Sequence, residues 1–268
     1  LGYIGPVALP ELDWMITDRV AVPEREAEHY TPPPLWLDGC FQANDGQLPE
    51  LPEVNREAEG LTADAFVFCC FSHHYKITPD LFFAWTRILA QCPGSVLWLA
   101  EDGAVSANNL RMWWEQSGLA AERLIFAPRV DPGHYRARMT LADLFLDTTP
   151  YNAGTIASDA LRMGLPILTV EGRAFVARMA TSLLTAMGLP ELIAPDLAAY
   201  EARAVALYSA RDRFLQLRAR CHPDLWSRSL GDAAGFTRRL EEAFHRIRRP
   251  TRARLSGNCA QAGETSRE

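Results

Sequence analysis

The chain has 268 residues, 48% of them hydrophobic and 22% charged, which is ordinary globular usage with enough material for a sizeable core and one or two domains. Its 27 Lys and Arg against 33 Asp and Glu leave a formal charge of −6, which argues against nucleic acid or an anionic membrane as the default partner. No apolar run reaches the roughly 18–20 residues that cross a bilayer, and neither a signal nor a transit peptide is visible. Cys40, Cys69, Cys70, Cys92, Cys221 and Cys259 form no CxxC pair and no metal-ligand spacing. They read as free buried thiols in a reducing, cytoplasmic setting. Starting at Leu1 rather than Met, the sequence is expected to be a piece of something longer.

Residues 1–60 are Pro-rich and irregular, with one strand-like stretch over 13–17. The run Thr31-Pro32-Pro33-Pro34 excludes a helix or a central strand there. Residues 44–60 are polar and acidic, like a linker or surface loop. From about residue 64, strand-length apolar runs alternate with helical segments. Residues 65–71 are apolar throughout, as in a strand buried on both faces. Thr78 and Pro79 then mark a helix start, as N-cap and N1, and that helix runs to about Gln91, before Pro93-Gly94. Further strands are expected over 95–99, 123–127, 144–147, 166–170 and 192–194. Further helices are expected over 106–117, 132–141, 155–163, 173–187, near 197–220, and over 233–248. The alternation predicts right-handed βαβ units and a Rossmann-like, doubly wound α/β domain with a mostly parallel sheet. Ligands of such sheets bind beyond the carboxyl ends of the strands. Residues 249–268 read as a disordered tail. The arginines at 246, 248, 249, 252 and 254 read as a solvated helix end rather than a nucleic-acid or lipid site.

The loops after the strands carry the candidate chemistry. The first strand is followed by Ser72-His73-His74-Tyr75-Lys76. A lysine just ahead of a helix suits an anion, because the helix end adds unpaired N–H groups and a positive dipole. A plain surface lysine beside two solvated histidines is the competing reading. Adjacent histidines face different ways and make a poor metal pair. The fourth strand runs into Asp147-Thr148-Thr149-Pro150-Tyr151-Asn152-Ala153-Gly154-Thr155-Ile156-Ala157-Ser158-Asp159, a small-residue turn opening a helix. The N–H groups of Gly154, Thr155 and Ile156 could cradle a phosphate, with Asp159 one turn further in for ribose hydroxyls. An ordinary turn capped by Thr155 is the plainer alternative. Neither GxxxxGK[ST] nor GxGxxG occurs. After the third strand, Tyr135 and Arg138 could hold a base between a ring and a guanidinium, or could be solvated helix residues.

Several stretches, in order, resemble the catalytic region of the O-linked N-acetylglucosamine transferases, the SPINDLY-like family, over roughly residues 1–247. They are Leu1-Gly2-Tyr3-Ile4-Gly5, Tyr75-Lys76-Ile77, Gly94-Ser95-Val96-Leu97-Trp98-Leu99, Leu124-Ile125-Phe126-Ala127-Pro128, Leu141-Ala142-Asp143-Leu144-Phe145-Leu146-Asp147-Thr148, Tyr151-Asn152-Ala153-Gly154-Thr155 with Ala157-Ser158-Asp159-Ala160-Leu161, and Gly188-Leu189-Pro190-Glu191-Leu192-Ile193. The resemblance implies the two-lobed glycosyltransferase B (GT-B) architecture. Residues 1–60 would be the end of the N-terminal lobe and the connection. Residues 61–248 would be the C-terminal lobe that binds the UDP-sugar, its last helix packing back towards the N-terminal lobe.

The implied reaction is inverting transfer of N-acetylglucosamine from UDP to a Ser or Thr hydroxyl of a protein, without a metal or other cofactor. By resemblance Lys76 serves the β-phosphate, Gly154, Thr155 and Ile156 form the phosphate-binding helix start, and Asp159 binds ribose. Val130 would meet the uracil edge through its backbone, Arg138 and Tyr135 would flank the base, and His73 would lie near the donor phosphates. The implied partners are UDP-N-acetylglucosamine, a protein acceptor, an upstream histidine-bearing lobe and tetratricopeptide repeats, and neither nucleic acid nor membrane. The base and phosphate residues do not read the sugar, which leaves glucose and fucose donors open. The chain departs from the family pattern at Ile4, Pro6, Pro132, Ile156 and Arg162-Met163. A degenerate UDP-binding or protein-interaction module without turnover is the alternative reading.

Overall fold

The computed structural model describes Gly5, Val7 and residues 9–248. Leu1–Ile4, Pro6, Cys259 and the expected tail lie outside the described residues. The chain opens with strands β1 (Met15–Asp18) and β2 (Pro34–Leu37), paired in parallel. The second strand was not expected from the sequence. Pro34 has no N–H to give a ladder, but it is tolerated as the first residue of a strand.

The elements that follow are β3 (Phe66–Cys70), α1 (Pro79–Gln91), β4 (Ser95–Ala100), α2 (Ala104–Gln116), β5 (Leu124–Ala127), α3 (Pro132–Met139), β6 (Leu144–Leu146), α4 (Thr155–Arg162), β7 (Ile167–Val170), α5 (Met179–Ala186) and β8 (Ile193–Ala194). Helices α6 (Leu197–Ser209), α7 (Arg211–Arg220), α8 (Pro223–Arg228) and α9 (Ala233–Arg248) close the chain. The sheet order is β5-β4-β3-β6-β7-β8 and every pairing is parallel. This is the doubly wound arrangement the alternation predicts. The winding reverses between β3 and β6, and a crevice opens there at the carboxyl ends of the strands.

Local signals and packing agree through most of this domain. Thr78 caps α1 through the Leu81 N–H, 3.3 Å away, with Pro79 in the first turn. All five residues of β3 are buried, as a central strand covered on both faces requires. The core is rich in aromatics, with Trp85, Trp98, Trp226, Tyr200, Phe68, Phe145 and Phe214 essentially inaccessible. Trp85 Nε1 donates to the Tyr200 hydroxyl (3.0 Å), which donates to the Asp147 carbonyl (3.2 Å). These buried polar groups are therefore satisfied, and α1 and α6 are locked to the end of β6. Cys40, Cys69, Cys70, Cys92 and Cys221 are free and buried. Burial pushes the Cys70 thiol up to about 12, so it stays protonated.

The differences from expectation lie where long-range contacts act. The helix expected over 173–187 begins only at Met179, after a short 3-10 turn at Phe175–Ala177. Gly172 folds back there, its N–H on the Ala177 carbonyl at 2.9 Å. The segment near 197–220 breaks at Ala210, in a non-helical conformation, with no Gly or Pro to announce it. Helix α8 was not foreseen. Helix α9 lies on β2, with Ala243, Phe236 and Leu240 packed on Leu35, Leu37 and Ile16. Arg246 is exposed near the helix end and also donates to the Trp36 carbonyl at 2.6 Å. Residues 44–60 are irregular, as expected, but they are fastened to the sheet domain. The Asn44 amide donates to the Leu230 carbonyl (3.1 Å), and Arg56 donates to the carbonyls of Ala65 (2.8 Å) and Leu141 (3.0 Å) and to Asp143 (3.0 Å). Among the described residues no helix is long and apolar enough to cross a membrane.

Candidate functional site

At the switch point a cleft of about 370 Å³ is walled by the ends of β3, β4 and β5 and the start of α4. Seven of the nine residues singled out from the sequence line it: His73, Val130, Tyr135, Arg138, Thr155, Ile156 and Asp159. The other two stand beside it. Gly154 is the N-cap of α4. Lys76 places Nζ 3.1 Å from the Asn152 carbonyl and 3.8 Å from the centre of the Tyr151 ring.

The turn that presents α4 is built around Asp147. Its carboxylate is fully buried and accepts the N–H groups of Thr148 and Ala153, both at 2.8 Å, and the Thr169 hydroxyl at 2.7 Å. Burial raises its pKa from 3.8 to about 7, opposed by those hydrogen bonds and by the Lys76 charge. Lys76 is in turn lowered by burial, with Asp147 the chief opposing influence. The alternative of an ordinary turn capped by Thr155 does not hold, because Gly154 is the cap and Thr155 the first helical residue. The Ser158 N–H closes the first turn on the Gly154 carbonyl at 3.0 Å. The N–H groups of Thr155, Ile156 and Ala157 precede that bond and have no intrahelical acceptor. Together with the nearby ammonium they form an electropositive end suited to a phosphate.

The opposite side of the cleft is shaped by α3. Asp131 caps it through the N–H groups of Gly133 (2.9 Å) and His134 (3.2 Å), with Pro132 in its first turn. Val130, exposed, precedes that cap. Tyr135 stands edge-on to Phe71 with ring centroids 6.1 Å apart, and its hydroxyl is buried without a partner. Arg138 is buried and donates to the Pro128 carbonyl (2.7 Å) and to Glu59 (3.1 Å). The irregular 44–60 segment thereby reaches the cleft wall. Asp159 is raised by burial, against the opposing charges of Arg136 and Arg162. Arg162 packs its guanidinium over Trp226 (4.8 Å) and pairs with Asp45 (3.0 Å).

Glu59, Asp102, Asp147 and Tyr151 were not among the sequence candidates as site residues. A carboxylate directly after a strand was the available signal for Asp102 and Asp147. Asp102 takes the His74 N–H at 2.9 Å and lies 3.0 Å from Nδ1 of His73. His74 is a different kind of group. Its Nε2 lies 2.7 Å from the Ala100 carbonyl, which can only accept, so Nε2 carries a proton, and Nδ1 lies 2.8 Å from the Ser106 hydroxyl. Burial lowers its pKa and keeps this ring neutral. Among the described residues no group of three or more His, Cys, Asp or Glu side chains is placed to hold a metal.

A six-stranded parallel sheet with a helix end opening on a cleft at its switch point is an α/β arrangement of the GT-B kind. The chain belongs to glycosyl transferase family 41, which it matches over residues 42–240. It is 28% identical, over 92% of its length, to the probable UDP-N-acetylglucosamine–peptide N-acetylglucosaminyltransferase SEC of Arabidopsis thaliana. It is 33% identical over 70% of its length to the UDP-N-acetylglucosamine–peptide N-acetylglucosaminyltransferase of Caenorhabditis elegans. The chain spans only 26% and 16% of those two proteins. A solved mutant of the Thermobaculum terrenum O-GlcNAc transferase superposes with a TM-score of 0.77 at 28% identity, covering 88% of this chain and 45% of that one. The pneumococcal O-GlcNAc transferase GtfA, solved with UDP and GlcNAc, shares the fold at a TM-score of 0.59 and 15% identity, over 87% of this chain and 46% of its own.

Proposed function

We propose that this chain is the donor-binding part of an inverting glycosyltransferase that moves N-acetylglucosamine from UDP to Ser or Thr hydroxyls of proteins. The observation that carries this reading is that Lys76 rests against the Asn152 carbonyl, in the turn leading to the amino end of α4, which itself lines the cleft. In such a reaction UDP leaves and negative charge grows on its β-phosphate. An ammonium and oriented N–H groups placed there stabilise the transition state more than the ground state. With that positive charge supplied by Lys76 and the helix end, the scheme calls on no metal. Uracil lies against the Val130 backbone, Tyr135 and Arg138 flank it, and Asp159 takes the ribose hydroxyls. Ile156 contributes its N–H but no hydroxyl.

The acceptor protein, an upstream lobe that closes the cleft, and tetratricopeptide repeats that select the acceptor belong to the same proposal, as does a cytoplasmic location. Relatives much longer than this chain are consistent with further segments beyond it. Calorimetric titration with UDP, with ADP as control, tests the donor site. UDP-selective binding in the micromolar range is the expected result, and no binding of either nucleotide refutes the reading.

A further inference from the structure

We propose that His73, oriented by Asp102, meets the donor diphosphate as an imidazolium, so that donor binding takes up a proton. This rests on the donor-site reading above. His73 is exposed on the wall of the cleft, its ring stacked on Tyr75 with centroids 5.6 Å apart and planes 16° from parallel. Its Nδ1 lies 3.0 Å from Oδ1 of Asp102. Burial acts to raise the Asp102 carboxyl, but the hydrogen bonds from His73 and from the His74 N–H outweigh it and hold the group below the usual range. Asp102 is therefore an acceptor, and Nδ1 must carry a proton to meet it. Neutral imidazole then has only a lone pair at Nε2, and a lone pair repels a phosphate oxygen. The imidazolium instead donates from both nitrogens, one to Asp102 and one to the diphosphate. Asp102 is thus a positioning residue that also stabilises the charged ring.

The surrounding charges set the balance. On its own segment His73 has neutral His74 and the cation Lys76. From the end of β4 come Asp102 and Glu101, from the end of β5 Arg129, from α3 Tyr135 and Arg138, and from α4 Asp159. The incoming diphosphate adds further negative charge beside this set, which favours the protonated ring.

The test is calorimetry of the chain with UDP-N-acetylglucosamine, whose diphosphate is esterified at both ends. UDP itself ends in a phosphate that titrates near about pH 6 and would confuse the reading. Titrations in buffers of differing ionisation enthalpy, between about pH 6 and 8, count the protons exchanged. Uptake approaching one proton is expected, with affinity falling by up to about tenfold per pH unit. His73→Gln, whose amide donates without a proton, should bind with that uptake removed. Asp102→Asn should move the uptake to lower pH. Uptake that persists in His73→Gln would assign the proton to Lys76 or Asp147 and overturn the inference, as would no uptake in the native chain. No binding at any pH would overturn the donor-site reading and this inference with it.

Discussion

Replacement of Lys76 by alanine is the sharpest test of the phosphate end. In the free chain the ammonium rests against the Asn152 carbonyl and the Tyr151 ring, and neither contact uses all three of its N–H donors. A charge-assisted hydrogen bond to the β-phosphate is worth roughly 1.5–3 kcal/mol. Its loss should weaken UDP binding by roughly 10- to 150-fold. Stability should change less, because Lys76 is only half-buried and the cation–π contact contributes about 1 kcal/mol. Calorimetry measures the affinity, and a thermal melt run alongside shows that the variant is folded. Lys76→Gln keeps a shorter stem with an uncharged amide donor and should fall between the two. A folded Lys76→Ala chain that binds UDP as tightly as the native one would remove Lys76 from the site.

Three further outcomes follow from the geometry. Burial holds the Asp147 carboxyl at about 7, so between about pH 4 and 7 the folded chain keeps a proton that the unfolded chain releases. Its contribution to stability is full below about pH 4 and is lost as pH rises towards 7. Asp147→Asn should flatten urea-measured stability across that window, and an unchanged slope would contradict the assignment. Glu59→Ala leaves the guanidinium of Arg138, whose side chain is 4% exposed, without its carboxylate. Breaking such a pair costs about 3–5 kcal/mol, and a loss in chemical denaturation well under about 1 kcal/mol would show that the pair is effectively solvated. Gly46 has φ of +73°, and a Cβ there would stand 2.3 Å from the Gly231 carbonyl oxygen. Gly46→Ala should therefore cost more than about 1 kcal/mol and loosen the 44–60 segment, which limited proteolysis would register.

Most of the sheet domain is legible from local pattern. The unbroken apolar run of β3, Thr78 with Pro79 at the head of α1, and the small residues between β6 and α4 each encode an element through short-range physics: burial on two faces, an N–H needing an acceptor, a backbone needing room. Where a feature depends on partners distant in the chain, the same kind of reading falls short. Strand β2 is four residues long and begins at a proline, and it exists because β1 and α9 cover it. The 3-10 turn ahead of α5 exists because Gly172 must fold back on Ala177. The cleft wall shows the same limit, since Arg138 is recognisable as a candidate but its partner Glu59 lies 79 residues away in what reads as a linker.

His73 and His74 separate what the two levels decide. The sequence by itself determines that two adjacent rings after a buried strand face different ways, because the backbone direction alternates. Only the tertiary structure decides their chemistry. The Ala100 carbonyl and Ser106 fix His74 in a buried position, where burial lowers its pKa, whereas Asp102 holds His73 by one nitrogen and leaves the other available to the cleft. Spacing along the chain sets which way a side chain leaves the backbone. Which charges and carbonyls meet it there, and hence which protons it carries, is set by segments that the fold brings in from elsewhere.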